Sequence, residues 1–104
     1  MVLTNVHRWL TKQEYARITY RAKKLGATSW QYKYLYHDVS FKHCTVAFAF
    51  RPLEFKINLI SNRYVYNEDD FRTKEDVEEI TKDMLAALEF VEFLKEFEKT
   101  IEEV

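Results

Sequence analysis

The stretch TKEDVEEITKDMLAALEFVEFLKEFEKTIEEV, residues 73–104, decides the fold. It holds no Gly and no Pro and is dense in Glu, Lys, Ala and Leu, which lose little side-chain freedom in a helix. Thr73 is placed to cap its start, with Asp76 standing where a capping box has Glu or Gln. Glu75, Asp76, Glu78 and Glu79 load the first turns, where the helix dipole favours negative charge. One long helix is predicted, spanning about 45 Å over roughly 30 residues. A compact chain of this length is only about 33 Å across, so its own domain should not cover the whole helix.

Two apolar strips run along it. Val77, Ile80, Met84, Ala87, Leu88 and Val91 cluster in one direction, and Phe90, Phe93, Leu94, Phe97, Ile101 and Val104 in another, rotated by roughly 130°. The first strip is expected to face the core. The second, left in water, would be a large exposed patch, which predicts a protein interface: a twofold homodimer joined through the C-terminal half of the helix. On that expectation Phe97→Asp separates the dimer and leaves the fold intact. The rival is a kink near residues 88–90 that folds the tail over Trp9 and the sheet.

Upstream of this helix the period is two. Residues 53–60 alternate Leu53, Phe55, Ile57 and Leu59 with Glu54, Lys56 and Asn58. Residues 42–50 put Cys44, Val46, Phe48 and Phe50 on one face and His43, Thr45, Ala47 and Ala49 on the other, and Arg51-Pro52 ends the run. Residues 30–36 alternate Trp30, Tyr32, Tyr34 and Tyr36 with Gln31, Lys33, Leu35 and His37. After the turn at Ser61-Asn62, Tyr64-Val65-Tyr66 is a candidate for a short extra strand. Thr11-Lys-Gln-Glu14 is a capping box that opens a helix over 11–25, and Gly26 is placed to end it. Tyr15, Ile18, Ala22 and Leu25 form its apolar stripe. The order α-β-β-β-(β)-α predicts a single α+β domain over residues 1–104: an antiparallel meander with helices packed on one face and a long C-terminal helix.

Eight Phe, seven Tyr and two Trp in 104 residues argue for a packed globular chain. No apolar run is long enough for a signal peptide or a membrane span, and Cys44, the lone cysteine, allows no internal disulfide. A cytoplasmic setting is therefore expected, with Cys44 as a small buried hydrophobe. The net charge of −1 hides an asymmetry. Residues 1–67 carry eleven basic against three acidic side chains, and residues 68–104 carry five against fourteen. Either a basic face awaits a partner, or the acidic helix lies across the basic part and neutralises it.

Glycine excludes most catalytic templates. Phosphate-cradling loops and dinucleotide fingerprints need several, and Gly26 is the only one. The segment from His37 through Asp38 to His43 and Cys44 offers zinc-type ligands, but neighbours on a strand point to opposite faces, so no metal is expected there. Asp38 and Glu54 make no convincing acid–base pair. The chain is expected to be no enzyme and to need no cofactor.

A basic face on the first helix, with Arg17, Arg21, Lys23 and Lys24, is the alternative to protein contact, because it would suit nucleic acid. The order of elements resembles that of double-stranded-RNA-binding domains, but the first turn of the last helix, Lys74-Glu75-Asp76-Val77-Glu78-Glu79, is acidic where that family places lysines. Locally, Ala22-Lys-Lys-Leu25-Gly26-Ala27-Thr28 resembles a helix-turn-helix over 11–36, with Ser29 to Tyr36 as the recognition helix. Composition and pattern together favour a small binding protein of regulator or inhibitor type, acting on a macromolecular protein partner without a membrane.

Overall fold

The computed structural model describes residues 10–33, 36–50, 52–59 and 74–102. Two helices and four strands follow in the order α1 (Lys12–Lys24), β1 (Ser29–Tyr32), β2 (His37–Ser40), β3 (Cys44–Ala49), β4 (Glu54–Leu59) and α2 (Lys74–Glu102). The strands form one antiparallel meander in the order β1-β2-β3-β4. The α+β class with a long C-terminal helix is therefore the observed one. The sheet is reached differently from the sequence expectation, however. Residues 30–36 are not one strand: the ladder ends at Tyr32, and the Lys33 amide donates to the Tyr36 carbonyl to turn the chain. His37–Ser40, for which no separate strand was expected, is a strand of its own, with His37 and Val39 buried. Tyr64-Val65-Tyr66 and the Thr73 cap lie outside the described residues.

Local chemistry fixes α1 at both ends. The Thr11 hydroxyl accepts from the Glu14 amide at 3.1 Å, and the Glu14 carboxylate accepts from the Thr11 amide at 2.8 Å. At the other end Gly26 has φ +104°, a left-handed conformation that suits glycine. The Ala27 amide then reaches back to the Ala22 carbonyl and the Gly26 amide to Lys23, satisfying carbonyls the helix leaves open.

Both helices cover one face of the sheet. Tyr15 of α1 stacks on Tyr32 and meets His37 edge-on, and Thr19 hydrogen-bonds the Tyr32 hydroxyl, which sets α1 over β1 and β2. Phe90 of α2 meets Phe48, and Phe97 meets Phe50, which sets α2 along β3. The register pairs Cys44 with Leu59, Val46 with Ile57 and Phe48 with Phe55, so the inward face of β3 continues onto β4. Phe55 and Leu59 are nonetheless exposed on β4, the last of the described strands in the sheet order.

The helix α2 is unbroken over its 29 residues, about 43 Å, and the radius of gyration is 15.5 Å against roughly 13 Å for a compact chain of this size. Its orientation reverses the sequence expectation. Phe90, Leu94, Phe97 and Ile101 are buried in the chain's own core and Phe93 is half-buried, so this strip is not a free interface. Val104 lies outside the described residues. Val77, Met84 and Leu88 of the other strip are exposed, and only Ala87 and Val91 of that strip are buried. The sheet beneath α2 presents the Phe41, Phe48 and Phe50 rings, and the strip that carries Phe90 and Phe97 is the one that interlocks with them. No kink is needed: the helix turns its second strip inward along its whole C-terminal half.

Candidate functional site: the outer groove of the helix layer

The tip of the β2–β3 hairpin is pinned to α2. Asp83 accepts the His43 amide at 2.8 Å, and Glu79 accepts from Lys42 at 3.0 Å with His43 Nε2 at 3.4 Å. The Lys42 ammonium, helped by His43, holds the Glu79 carboxyl below its ordinary range. Both partners are exposed, so the pair orients the hairpin and adds little stability. Cys44 lies beneath with its Sγ 3.6 Å from the Asp83 carbonyl. Burial and then the Asp83 charge push its thiol above the ordinary value, so it stays protonated and unreactive. Cys44→Ser should cost about 1–2 kcal/mol. Native protein should also resist thiol reagents until it is unfolded, and rapid labelling under native conditions would contradict this burial.

The zinc-type residues do not converge. His37 is buried among Tyr15, Tyr32 and Phe48, Cys44 points to the inward face, His43 sits at the hairpin tip, and Asp38 takes the opposite face of β2. Among the described residues no three His, Cys, Asp or Glu side chains are grouped to hold a metal ion. Ser29–Tyr32 is a strand paired with β2, so the helix-turn-helix over 11–36 has no recognition helix and is not formed. Aromatic residues alternating at period two favour the pleated ladder over a helix there.

Among the described residues, concave surface lies along the helix pair as well as beside β3 and β4 and under the hairpin tip. One groove, about 410 Å³, is lined by Ala16, Arg17, Tyr20, Arg21 and Phe93. Another, about 610 Å³, is lined by Lys24, Leu25, Lys82, Leu85, Ala86, Leu88, Glu89 and Glu92. Tyr20, Leu85 and Leu88 are exposed by 62%, 59% and 50%, a density of large apolar groups that the core leaves uncovered. The helix period turns Leu85 and Leu88 outward for the same reason that it turns Phe90 and Leu94 inward.

Charge frames the groove. Arg17 and Arg21 line the α1 side of the first groove and Lys24 that of the second, while Lys82, Glu89 and Glu92 line the α2 side of the second. Among the described residues the acidic helix meets the basic part of the chain at Lys42 and His43, through Glu79, and no ion pair joins α1 to α2. The α1 cations lie over rings instead: Arg17 over Phe97 at 4.8 Å, Lys23 over Trp30 and Lys24 over Tyr20, both at 5.4 Å. The basic face expected from the sequence is present. The apolar half of the groove was not anticipated, although Leu85 is the one large apolar residue of α2 outside both strips and so was a visible signal.

No helix among the described residues is long and apolar enough to cross a membrane. Comparison of the chain with known protein families, curated proteins and solved structures returns no match.

Proposed function

We propose that this chain is a small non-enzymatic binding protein of regulator or inhibitor type, which acts by protein–protein contact through the groove between α1 and α2. The observation that carries it is the exposed apolar set Tyr20, Leu85 and Leu88, framed by charged side chains, which is the anatomy of a contact surface. A groove between two helices takes the apolar face of a third helix, anchored by side chains spaced three and four apart. Self-association through α2 then runs through Leu85 and Leu88, since Phe90, Leu94 and Phe97 are occupied by the core. The proposal sets the protein in the cytoplasm, where a lone buried thiol stays reduced.

The test is capture from the native host with the tagged wild type, with Leu85→Asp, and with Thr45→Arg on the far side of the sheet. Leu85→Asp should lose the captured protein, at least about tenfold, with the melting temperature little changed because Leu85 is already mostly exposed. Equal capture by the wild type and Leu85→Asp would reject the groove.

A second use of the same helix is nucleic-acid binding, favoured by one observation: Arg17, Arg21, Lys23 and Lys24 meet no carboxylate among the described residues. If they neutralise phosphates, Arg21→Glu should weaken duplex binding and flatten its salt dependence by about one unit of slope for each phosphate left unpaired. Absence of duplex binding at low salt would end this alternative.

A further inference from the structure

The helix layer carries its charge in two rows. Arg17, Arg21 and Lys24 run along α1, and Glu89, Glu92 and Glu96 run along α2. At about 100° per residue these glutamates lie within roughly 40° of the outward-facing Leu85, so the acidic row and the apolar groove share one face. Within the chain Glu92 and Glu96 bond only weakly held neighbours, Lys95 at 3.1 Å and Lys99 at 3.3 Å, in exposed pairs three residues apart. Lys82 lines the same groove as Lys24, about two turns before Glu89 on α2.

A face with a positive row beside a negative row is complementary to itself in one twofold arrangement and repels itself in the other. Consider two copies laid helix layer to helix layer. An axis across the helices sets α1 on α1 and α2 on α2, where like charges meet. An axis along the helices sets α1 of each copy on α2 of the other, where opposite charges meet twice. The register of that second arrangement follows from the contacts inside one chain. Arg17 is level with Phe97, Tyr20 and Arg21 with Phe93, and Lys24 with the segment that carries Leu85 and Glu89, so the two helices run antiparallel. Rotation about an axis along the helices moves no residue along them. Arg17 therefore comes opposite Glu96 of the second copy, Arg21 opposite Glu92 and Lys24 opposite Glu89, while the Tyr20 and Leu85 side chains of both copies close the groove between them.

From this match of sign and level we propose that the occupant of the groove is a second copy of the chain, docked helix layer to helix layer about a twofold axis parallel to α1 and α2. It rests on the protein-contact function above and names the partner. The dimer has four layers, sheet–helices–helices–sheet, with the apolar groove at its centre and the ion pairs at its rim.

Light scattering coupled to gel filtration at tens of micromolar should give twice the 12.6 kDa chain mass for the wild type. Arg21→Glu and Glu92→Arg alone should each raise the dimer dissociation constant by about tenfold or more, with unchanged circular dichroism because both side chains are exposed. Mixing these two variants should restore a dimer of one chain of each, since the reversed charges meet only across the interface. Pairing inside a chain cannot be repaired by mixing, so recovery reports contact between chains. A wild type that dimerises, joined to a mixture that stays monomeric, would overturn the axis along the helices. A monomeric wild type would overturn the second copy altogether. Loss of host-protein capture by Leu85→Asp in that monomer would still support the protein-contact function, so the two failures are distinguishable.

Discussion

Phe97→Asp should leave no cooperatively folded chain. The Phe97 side chain is 1% exposed and lies 5.8 Å from the Phe50 ring and 5.6 Å from the Phe93 ring, centroid to centroid. Removing a buried Phe of this kind costs about 3–5 kcal/mol, and a carboxylate left in its place adds a desolvation penalty of several more. The Arg17 guanidinium, 4.8 Å from the ring, offers the new charge a partner but replaces none of the packing that the ring supplied. A domain of this size has roughly 5–15 kcal/mol of stability in all, so the sum consumes most of it. Leu88→Asp on the same helix is the control. Leu88 is half exposed, and its replacement should shift the melting temperature by only a few degrees. Thermal melts followed by circular dichroism compare the two. A folded Phe97→Asp beside an unfolded Leu88→Asp would mean that α2 is rotated the other way.

Phe90→Ala carries the second large effect. Phe90 has no exposed surface and sits where the sheet and α2 interlock, 5.7 Å from Phe48, 6.4 Å from Phe41 and 6.2 Å from Phe93. Rigid rings surround the vacated volume on three sides, so it collapses poorly, and the cost belongs at about 3–5 kcal/mol. At about 4–8 °C per kcal/mol for a domain of this size, the melting temperature should fall by roughly 12–40 °C. Phe55→Ala on β4 removes the same atoms from an exposed site and should cost far less. Comparison at one fixed protein concentration keeps the concentration-dependent contribution of any self-association the same for both variants. Equal losses at Phe90 and Phe55 would contradict the burial of α2 over β3.

The wild type and these two core variants also bear on how the charge rows act. Because Arg17 is placed over Phe97, this one cation of the basic row is held by a ring of the core. Damage at Phe97 is therefore expected to disorder the Arg17 side chain as well. Charge reversals at Arg21 and Glu92 avoid that coupling, which is why they, and not core substitutions, separate association from folding.

Several features were legible from residue type alone. The Thr11–Glu14 capping box and the left-handed Gly26 depend on local chemistry, and both ends of α1 fall where the residues put them. The alternation of Cys44, Val46 and Phe48 with Thr45 and Ala47 determined which side of β3 is buried, because a strand side chain has only two directions to take. The unbroken α2 likewise follows from a stretch with no Gly or Pro. The strand at His37–Ser40 was not legible, since Asp38 and Ser40 are turn formers by themselves and become ladder residues only when β1 and β3 pair on both sides. Nor was the rotation of α2. Its two apolar strips are similar in hydrophobicity and differ by roughly 130°, and nothing local ranks them. The aromatic slab of Phe41, Phe48 and Phe50 does, by interlocking with Phe90 and Phe97, and that contact exists only once the sheet is assembled. The sequence by itself thus determined both helices, the buried side of β3 and the basic face of α1; the tertiary structure alone decided the β1–β2 hairpin and which face of α2 is core, and so that Leu85, Leu88 and Tyr20 are left outside it.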